Sequence, residues 1–263
     1  MELGISSWFG FNLSFEERIQ LIKEAGFQSV MIWWGEEYWK NNETIKKIPE
    51  TVIKYDLKIE NIHFSFACID SIWEDSIEGE EILNRYIFNI ANCKKYKIPT
   101  AVMHITGGDI PPSNKVLGLK RFKELIEKAE KDGITIALEN VWVPEYLDFL
   151  FENIQSDKLK FCYDSGHENC FTQGIDYLSK YADKLTALHL HDNDGKGDKH
   201  MLPFDGSVKW LKIMKKLKEI KYKGTLSLEI DASYSNVIND YTAEEYLLEA
   251  KNRVCKLMDI DNN

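Results

Sequence analysis

No two cysteines in this sequence stand in a C-x-x-C spacing. The five present, Cys68, Cys93, Cys162, Cys170 and Cys255, form an odd set with wide, unequal gaps. Neither a disulfide framework nor a thiolate zinc site is indicated, and buried free thiols are the expectation. No apolar run approaches the ~18 residues that suggest a membrane span, and no basic start, apolar stretch and small-residue cleavage site follow Met1. A soluble, cytoplasmic protein with no membrane partner is expected. Phosphate cradles of the G-x-G-x-x-G or G-x-x-x-x-G-K-[ST] type are missing too, which argues against the common dinucleotide and nucleotide sites. Positive charge is in deficit: 33 Lys plus Arg face 43 Asp plus Glu, a net −10 with a pI near 5.2. Such a chain has no general attraction for phosphate backbones, so nucleic acid is not expected as its main partner.

What is present is enough for one large core. The chain has 263 residues, 44% of them hydrophobic, and an α/β barrel of this length is commonly one domain, here residues 1–263. Short apolar or β-branched runs recur at 3–8, 29–34, 58–64, 100–106, 134–140, 159–164, 185–191 and 224–230. Amphipathic segments lie between them. Ser14 and Glu17 form an S-x-x-E capping box ahead of one such helix and Gly26 can close it. Lys131-Asp132-Gly133 and Lys223-Gly224 are turn signals placed before strands. Residues 209–220 read as a lysine-rich amphipathic helix with its apolar stripe at Val208, Leu211, Met214 and Leu217. Eight alternations of strand and helix predict parallel strands closed into a (β/α)8 TIM barrel.

In such a barrel the functional loops leave the C-terminal ends of the strands. Those ends fall near His63, His104, Glu139, Asp164, His189 with His191, and Glu229, so six successive strands each carry a side chain able to bind a metal. The stretch HLHDNDGKGDKH at 189–200 adds Asp192, Asp194, Asp198 and His200. Burying many acids and imidazoles in one mouth is costly without a cation. The donor types suit Mn²⁺, Mg²⁺, Co²⁺ or Zn²⁺. His167, three residues past Asp164, is a further ligand or a substrate contact, and His191 a partner that orients a ligand. Trp8, Trp33 and Trp142 at strand ends can offer apolar faces to a sugar.

These residues together resemble the xylose-isomerase-like TIM barrels, a group that includes sugar isomerases, ketose 3-epimerases, inosose dehydratase and the endonuclease IV family. The resemblance covers nearly the whole chain and rests on LEN at 138–140, D-x-x-H from Asp164 to His167, HLHD at 189–192, DKH at 198–200 followed by LPFDG, and LEI at 228–230. It implies that Glu139, Asp164, His189 and Glu229 correspond to shared metal ligands, with His167 contacting substrate or a further metal. Two branches compete. The endonuclease branch has a trinuclear zinc site, and matching residue types stand at His63, His104, Asp198 and His200; yet the 189–198 loop is shorter than in that pattern, and the segment after His63 does not resemble its DNA-contacting stretch. The epimerase branch places an Arg where this chain has Gly195, so Lys196 or Lys199 would have to substitute, while Glu145 matches one of its substrate-binding acids. The resemblance thus implies a metal-dependent isomerase or epimerase of a small sugar, sugar phosphate or polyol ketone, with Glu139 and Glu229 as the proton-transferring acids. The alternative is zinc-dependent cleavage of abasic DNA, and a third reading is a barrel that binds sugar and metal without turnover. Association into a homo-oligomer is also compatible with the sequence.

Overall fold

A computed structural model describes residues 1–35, 42–110, 112–234 and 239–260. Eight parallel strands, β1 (Leu3–Ser6), β2 (Ser29–Trp34), β3 (Lys58–Phe64), β4 (Thr100–Met103), β5 (Thr135–Glu139), β6 (Leu159–Asp164), β7 (Leu185–His189) and β8 (Leu226–Leu228), form one sheet in the order β7-β6-β5-β4-β3-β2-β1-β8. Leu190 closes the ring. It bridges in parallel to Leu228, its N–H donates to Ser227 O at 2.9 Å, and Glu229 N–H donates to Leu190 O at 3.0 Å. The closure therefore lies among the residues that the sequence singles out.

Helices surround the strands: α1 (Phe15–Ala25), α2 (Asn42–Lys54), α3 (Ile77–Tyr96), α4 (Lys115–Asp132), α5 (Pro144–Asn153), the short α6 (Ser165–Cys170) and α7 (Tyr177–Lys180), α8 (Trp210–Glu219) and α9 (Ala243–Asp259). The capping box of Ser14 and Glu17 is present, and Gly26 ends α1 at φ 87°, a conformation an L side chain resists. Strands buried on both faces carry the core that the helices cover, as parallel sheets require. No described helix is long and apolar enough to cross a membrane.

Two local expectations need correction. In α8 the buried stripe is Trp210, Ile213, Met214 and Leu217, whereas Leu211 is 45% exposed. Leu211 follows Trp210 by one residue, about 100° around the helix, so once the indole packs inward the leucine must face out. The buried-thiol expectation holds for Cys93 and Cys162 but not for Cys68, which is exposed, or for the half-buried Cys170 and Cys255.

Candidate metal centre

The strand period places the site. Val102, Ala137, Cys162 and Ala187 form a small buried cluster from β4, β5, β6 and β7. Side chains two residues further along each strand point the same way, one level nearer the mouth. Those residues are His104, Glu139, Asp164 and His189. The same step leads from Asn61 to His63 and from Ser227 to Glu229, both starting residues being fully buried. Sheet register sets Asp164 level with His189, while His63 pairs with Val102 and Glu139 with Cys162, a stagger of one layer between those strands.

All six histidines of the chain converge on this level. Glu139 is at the centre and inaccessible to solvent. Its Oε2 lies 3.0 Å from His63 Nε2, 3.6 Å from His104 Nε2 and 3.4 Å from His189 Nδ1, and its Oε1 lies 3.0 Å from His167 Nδ1. His189 Nδ1 is also 3.1 Å from Glu229 Oε2, so one imidazole touches both glutamates. Beside this group, Asp164 Oδ1 lies 3.1 Å from His191 Nε2, and Asp198 reaches His167 and His191 at 3.4 Å and His200 at 3.1 Å.

Main-chain carbonyls set the tautomers of four rings. Nδ1–H of His63 donates to Phe64 O at 2.8 Å, of His167 to Asn140 O at 3.1 Å, of His191 to Asp192 O at 3.4 Å and of His200 to Glu229 O at 2.7 Å. A carbonyl can only accept, so Nδ1 carries a proton in each ring and Nε2 is the atom turned toward the cluster, the arrangement found in histidines that bind metals. Two polar residues hold the frame. Asn140 donates to Asp164 O at 2.9 Å and accepts from Asp164 N–H at 2.8 Å, and Ser165 Oγ donates to His191 O while accepting from His191 N–H. Sequence reasoning quotes Asn140 only as part of a motif and passes over Ser165; no periodicity marks such clamps.

The charges are balanced without lysine or arginine. Among the described residues the four carboxylates Glu139, Asp164, Asp198 and Glu229 pair only with imidazoles. Burial opposes ionisation of Glu139 and Glu229, yet His189 and the other rings outweigh it and hold both carboxyls below the usual range. Asp198 is depressed likewise by His167 and His200 against its burial. Burial also disfavours imidazolium, but the facing charges raise His167 and His189 well above the ordinary value and His200 to about 10. His104 goes the other way, pushed by burial to about 3. The pocket is built to gather positive charge.

A divalent cation fits that demand. Glu139 Oε1, Asp164 Oδ2, both nitrogens of His189, His191 Nε2 and Asp198 Oδ1 are buried and make no well-directed hydrogen bond, a costly condition that coordination would relieve. Possible ligand atoms gather in trios lying within 4.8 Å of one another: His63, His104 and Glu139; His63, His189 and Glu229; Asp164, His167 and His191; His191, Asp198 and His200. Cys162 also comes within this range of Glu139 and His189. Burial pushes its thiol up to about 12, so it stays protonated there, in keeping with a site that uses no thiolate.

A cavity of about 490 Å³ opens beside the cluster, with Trp8, Arg18, Trp33, Phe66, His63 and Glu229 in its wall. Trp33 thus stands where a substrate contact is expected. Trp142 lies near His104 and His167 instead, against Phe171. Glu145 and Lys196 are exposed and neither lines this cavity. The first turn of α5 carries Glu145 outward, and Lys196 lies in a turn where its N–H donates to Asp194 Oδ1 and Lys199 pairs with the same side chain. Neither is brought to the cluster as expected. Within 189–200, Asp192 and Asp194 build the loop while His189, His191, Asp198 and His200 enter the site.

A closed parallel barrel with such a mouth defines a class, and the chain belongs to the xylose isomerase-like TIM barrel family, whose sequence model matches residues 19–253. It is 25% identical over 281 aligned positions to the uncharacterized protein MJ1311 of Methanocaldococcus jannaschii, covering 95% of this chain and 94% of that protein. The crystal structure of a D-tagatose 3-epimerase-like protein superposes with a TM-score of 0.80 at 23% identity, covering 100% of this chain and 98% of the other. The IOLI protein with a bound zinc atom superposes with a TM-score of 0.80 at 20% identity, covering 99% of each chain.

Proposed function

We propose that the protein is a divalent-metal-dependent isomerase or epimerase of a small sugar or related polyol ketone. The observation that carries this reading is the pair Glu139 and Glu229, two carboxylates from β5 and the end of β8 that meet at the His189 imidazole beside a cavity of monosaccharide size. The fold shared with an epimerase-like protein supports it, as does the zinc held by another neighbour. Glu139, Asp164, His189 and Glu229 would hold the cation, with His63, His104, His167, His191, Asp198 and His200 available to it or to further ions. When bound, it supplies Lewis-acid stabilisation for negative charge developing on neighbouring substrate oxygens.

The chain's own residues supply the rest. One of the two glutamates removes the carbon-bound proton next to the substrate carbonyl and the other returns one. Both are held ionised by the surrounding imidazoles, the state a base needs. Trp33 and Phe66 offer apolar faces for the C–H surface of a sugar.

A ketose incubated with Mn²⁺-loaded protein in D₂O should gain deuterium at the carbon beside its carbonyl, seen by NMR. Glu229→Gln should slow the exchange by about a hundred- to ten-thousand-fold, the span ascribed to a positioned acid or base. Turnover without solvent deuterium would refute this proton-transfer reading. A second reading, phosphodiester cleavage by several zinc ions, is favoured by one observation, the presence of several ligand trios, two of them sharing His63 and two sharing His191. Close to three zinc ions per chain, together with nicking of abasic duplex DNA that Glu139→Gln abolishes, would put it first.

A further inference from the structure

The cavity holds a positive charge that the metal cluster does not use. Arg18, in the first turn of α1, is only 7% exposed and lines the cavity that also contains Glu229 and His63. Its Nε has no hydrogen-bond partner, and no carboxylate pairs with the guanidinium among the described residues. The nearby acids are committed elsewhere. Glu16 engages Lys54 and Tyr55, and Glu17 caps the helix through Ser14. In the cavity wall, Asp231 accepts Trp8 Nε1–H at 2.7 Å on Oδ2 and Ser233 N–H at 2.8 Å on Oδ1.

Two costs attach to this placement. A buried cation without a counter-charge is expensive, and a cation in the first turn runs against the helix dipole. The Trp8 ring, 4.9 Å from the guanidinium carbon, and the Phe15 ring at 5.9 Å offset part of this by cation–π attraction. They also fix the side chain in place. Ser6 and Ser7, both buried, present their residues to the same wall. On a protein of net charge −10, an anion gains nothing from the overall field and needs such a local cation.

Building on the isomerase reading above, we infer that Arg18 is a specificity residue for a terminal oxyanion, a phosphate ester or a carboxylate, on a substrate whose reactive end meets Glu229. The guanidinium fork matches either group through paired N–H donors. The preferred substrates are then anionic ketoses rather than neutral ones.

Fructose 6-phosphate, fructuronate and fructose share a six-carbon ketose skeleton and differ at C6 as phosphate ester, carboxylate and hydroxyl. Calorimetric titration of all three into Mn²⁺-loaded protein should show at least one anionic probe binding tenfold or more tighter than fructose, and the tighter of the two identifies the group. Arg18→Met, which keeps an apolar stem against Trp8, should abolish that preference and leave metal content and fructose affinity unchanged. Should this variant fail to fold, Arg18→Lys decides, because losing the fork should weaken the anionic probe at least threefold with fructose unaffected. The inference is overturned if wild type shows no anionic preference, binding nothing included, or if the preference survives these substitutions at full strength. Titration requires no turnover, so Arg18-dependent binding without deuterium exchange would refute only the isomerase reading.

Discussion

The imidazole of His191 occupies the space in which a side chain on Gly166 would begin: a β-carbon there would lie 1.8 Å from His191 Cε1 and 2.4 Å from its Nδ1. Gly166 is the second residue of α6, immediately after the Asp164-Ser165 pair, and Ser165 holds the His191 backbone from the other side. The ring is thereby packed into the chain that supplies two of its fellow ligand candidates, Asp164 and His167. Gly166→Ala should drive it out. A destabilisation of about 1–3 kcal/mol is expected from overpacking a filled site, together with loss of metal binding if Asp164, His167 and His191 act as ligands as proposed. Melting temperature and metal content per chain measure the two effects. An alanine variant matching wild type in both would mean that His191 does not need its present seat.

Asp192 is a different kind of residue from its histidine neighbours. Oδ1 accepts the N–H groups of Asn193 and Val208 at 2.9 and 3.0 Å, while Oδ2 accepts Phe204 N–H and Trp210 Nε1–H at 2.9 and 2.8 Å. Its backbone also pairs both ways with Met201. This one buried carboxylate ties down the loop that carries Asp198 and His200. Asp192→Asn turns an amide toward donors, leaving at least one unpaired and weakening the rest. About 3 kcal/mol or more of stability should go, since hydrogen bonds to a buried charge are each worth about 1.5–3 kcal/mol. Metal content should fall with it, and a variant retaining both wild-type stability and metal would remove Asp192 from the role of loop anchor.

Strand positions are legible because two periods coincide, apolar runs of strand length alternating with helical stripes, and a capping box such as Ser14 with Glu17 marks a boundary by itself. The convergence of His63, His104, Glu139, Asp164, His189 and Glu229 follows from those strands plus a parity of two. The same parity, followed one step down, also leads to Cys162, two residues before Asp164. What sequence cannot convey is rotation and reach. Leu211 and Trp210 compete for one face of α8, and only packing decides between them. Glu145 and Lys196 match positions along the chain yet point outward, because a spacing counted in residues does not fix a direction in a loop or a first helical turn. Arg18 looks like any polar residue of an amphipathic helix until the cavity beside it is seen.

The cluster also makes stability depend on pH in a direction that metal should reverse. In the metal-free protein His167 is held well above the ordinary histidine value and His200 is raised to about 10 by the facing carboxylates, and His189 is held well above it by Cys162 together with Glu229 and Glu139, in each case against burial. A histidine raised on folding contributes stability that is complete below its unfolded value, near 6.5, and is lost as pH climbs through the folded one. Glu139, Glu229 and Asp198 are depressed, so their contribution is present above the unfolded carboxylate range near 4 and is lost as pH falls. His104, pushed to about 3, stays neutral throughout this window. Metal-free protein should therefore be most stable at about pH 5–6.5 and melt at progressively lower temperature toward pH 9. A cation competes with the imidazole protons for the same nitrogens, so its affinity should rise with pH, with more than one proton released per ion bound. Melting curves of chelator-treated and Mn²⁺-loaded protein at pH 5.5, 7 and 8.5 should diverge steadily as pH increases. Parallel curves, or metal-free protein that gains stability from pH 6 to 8.5, would show that these histidines are not held protonated by the carboxylates and that the cluster's charge balance differs from the one described.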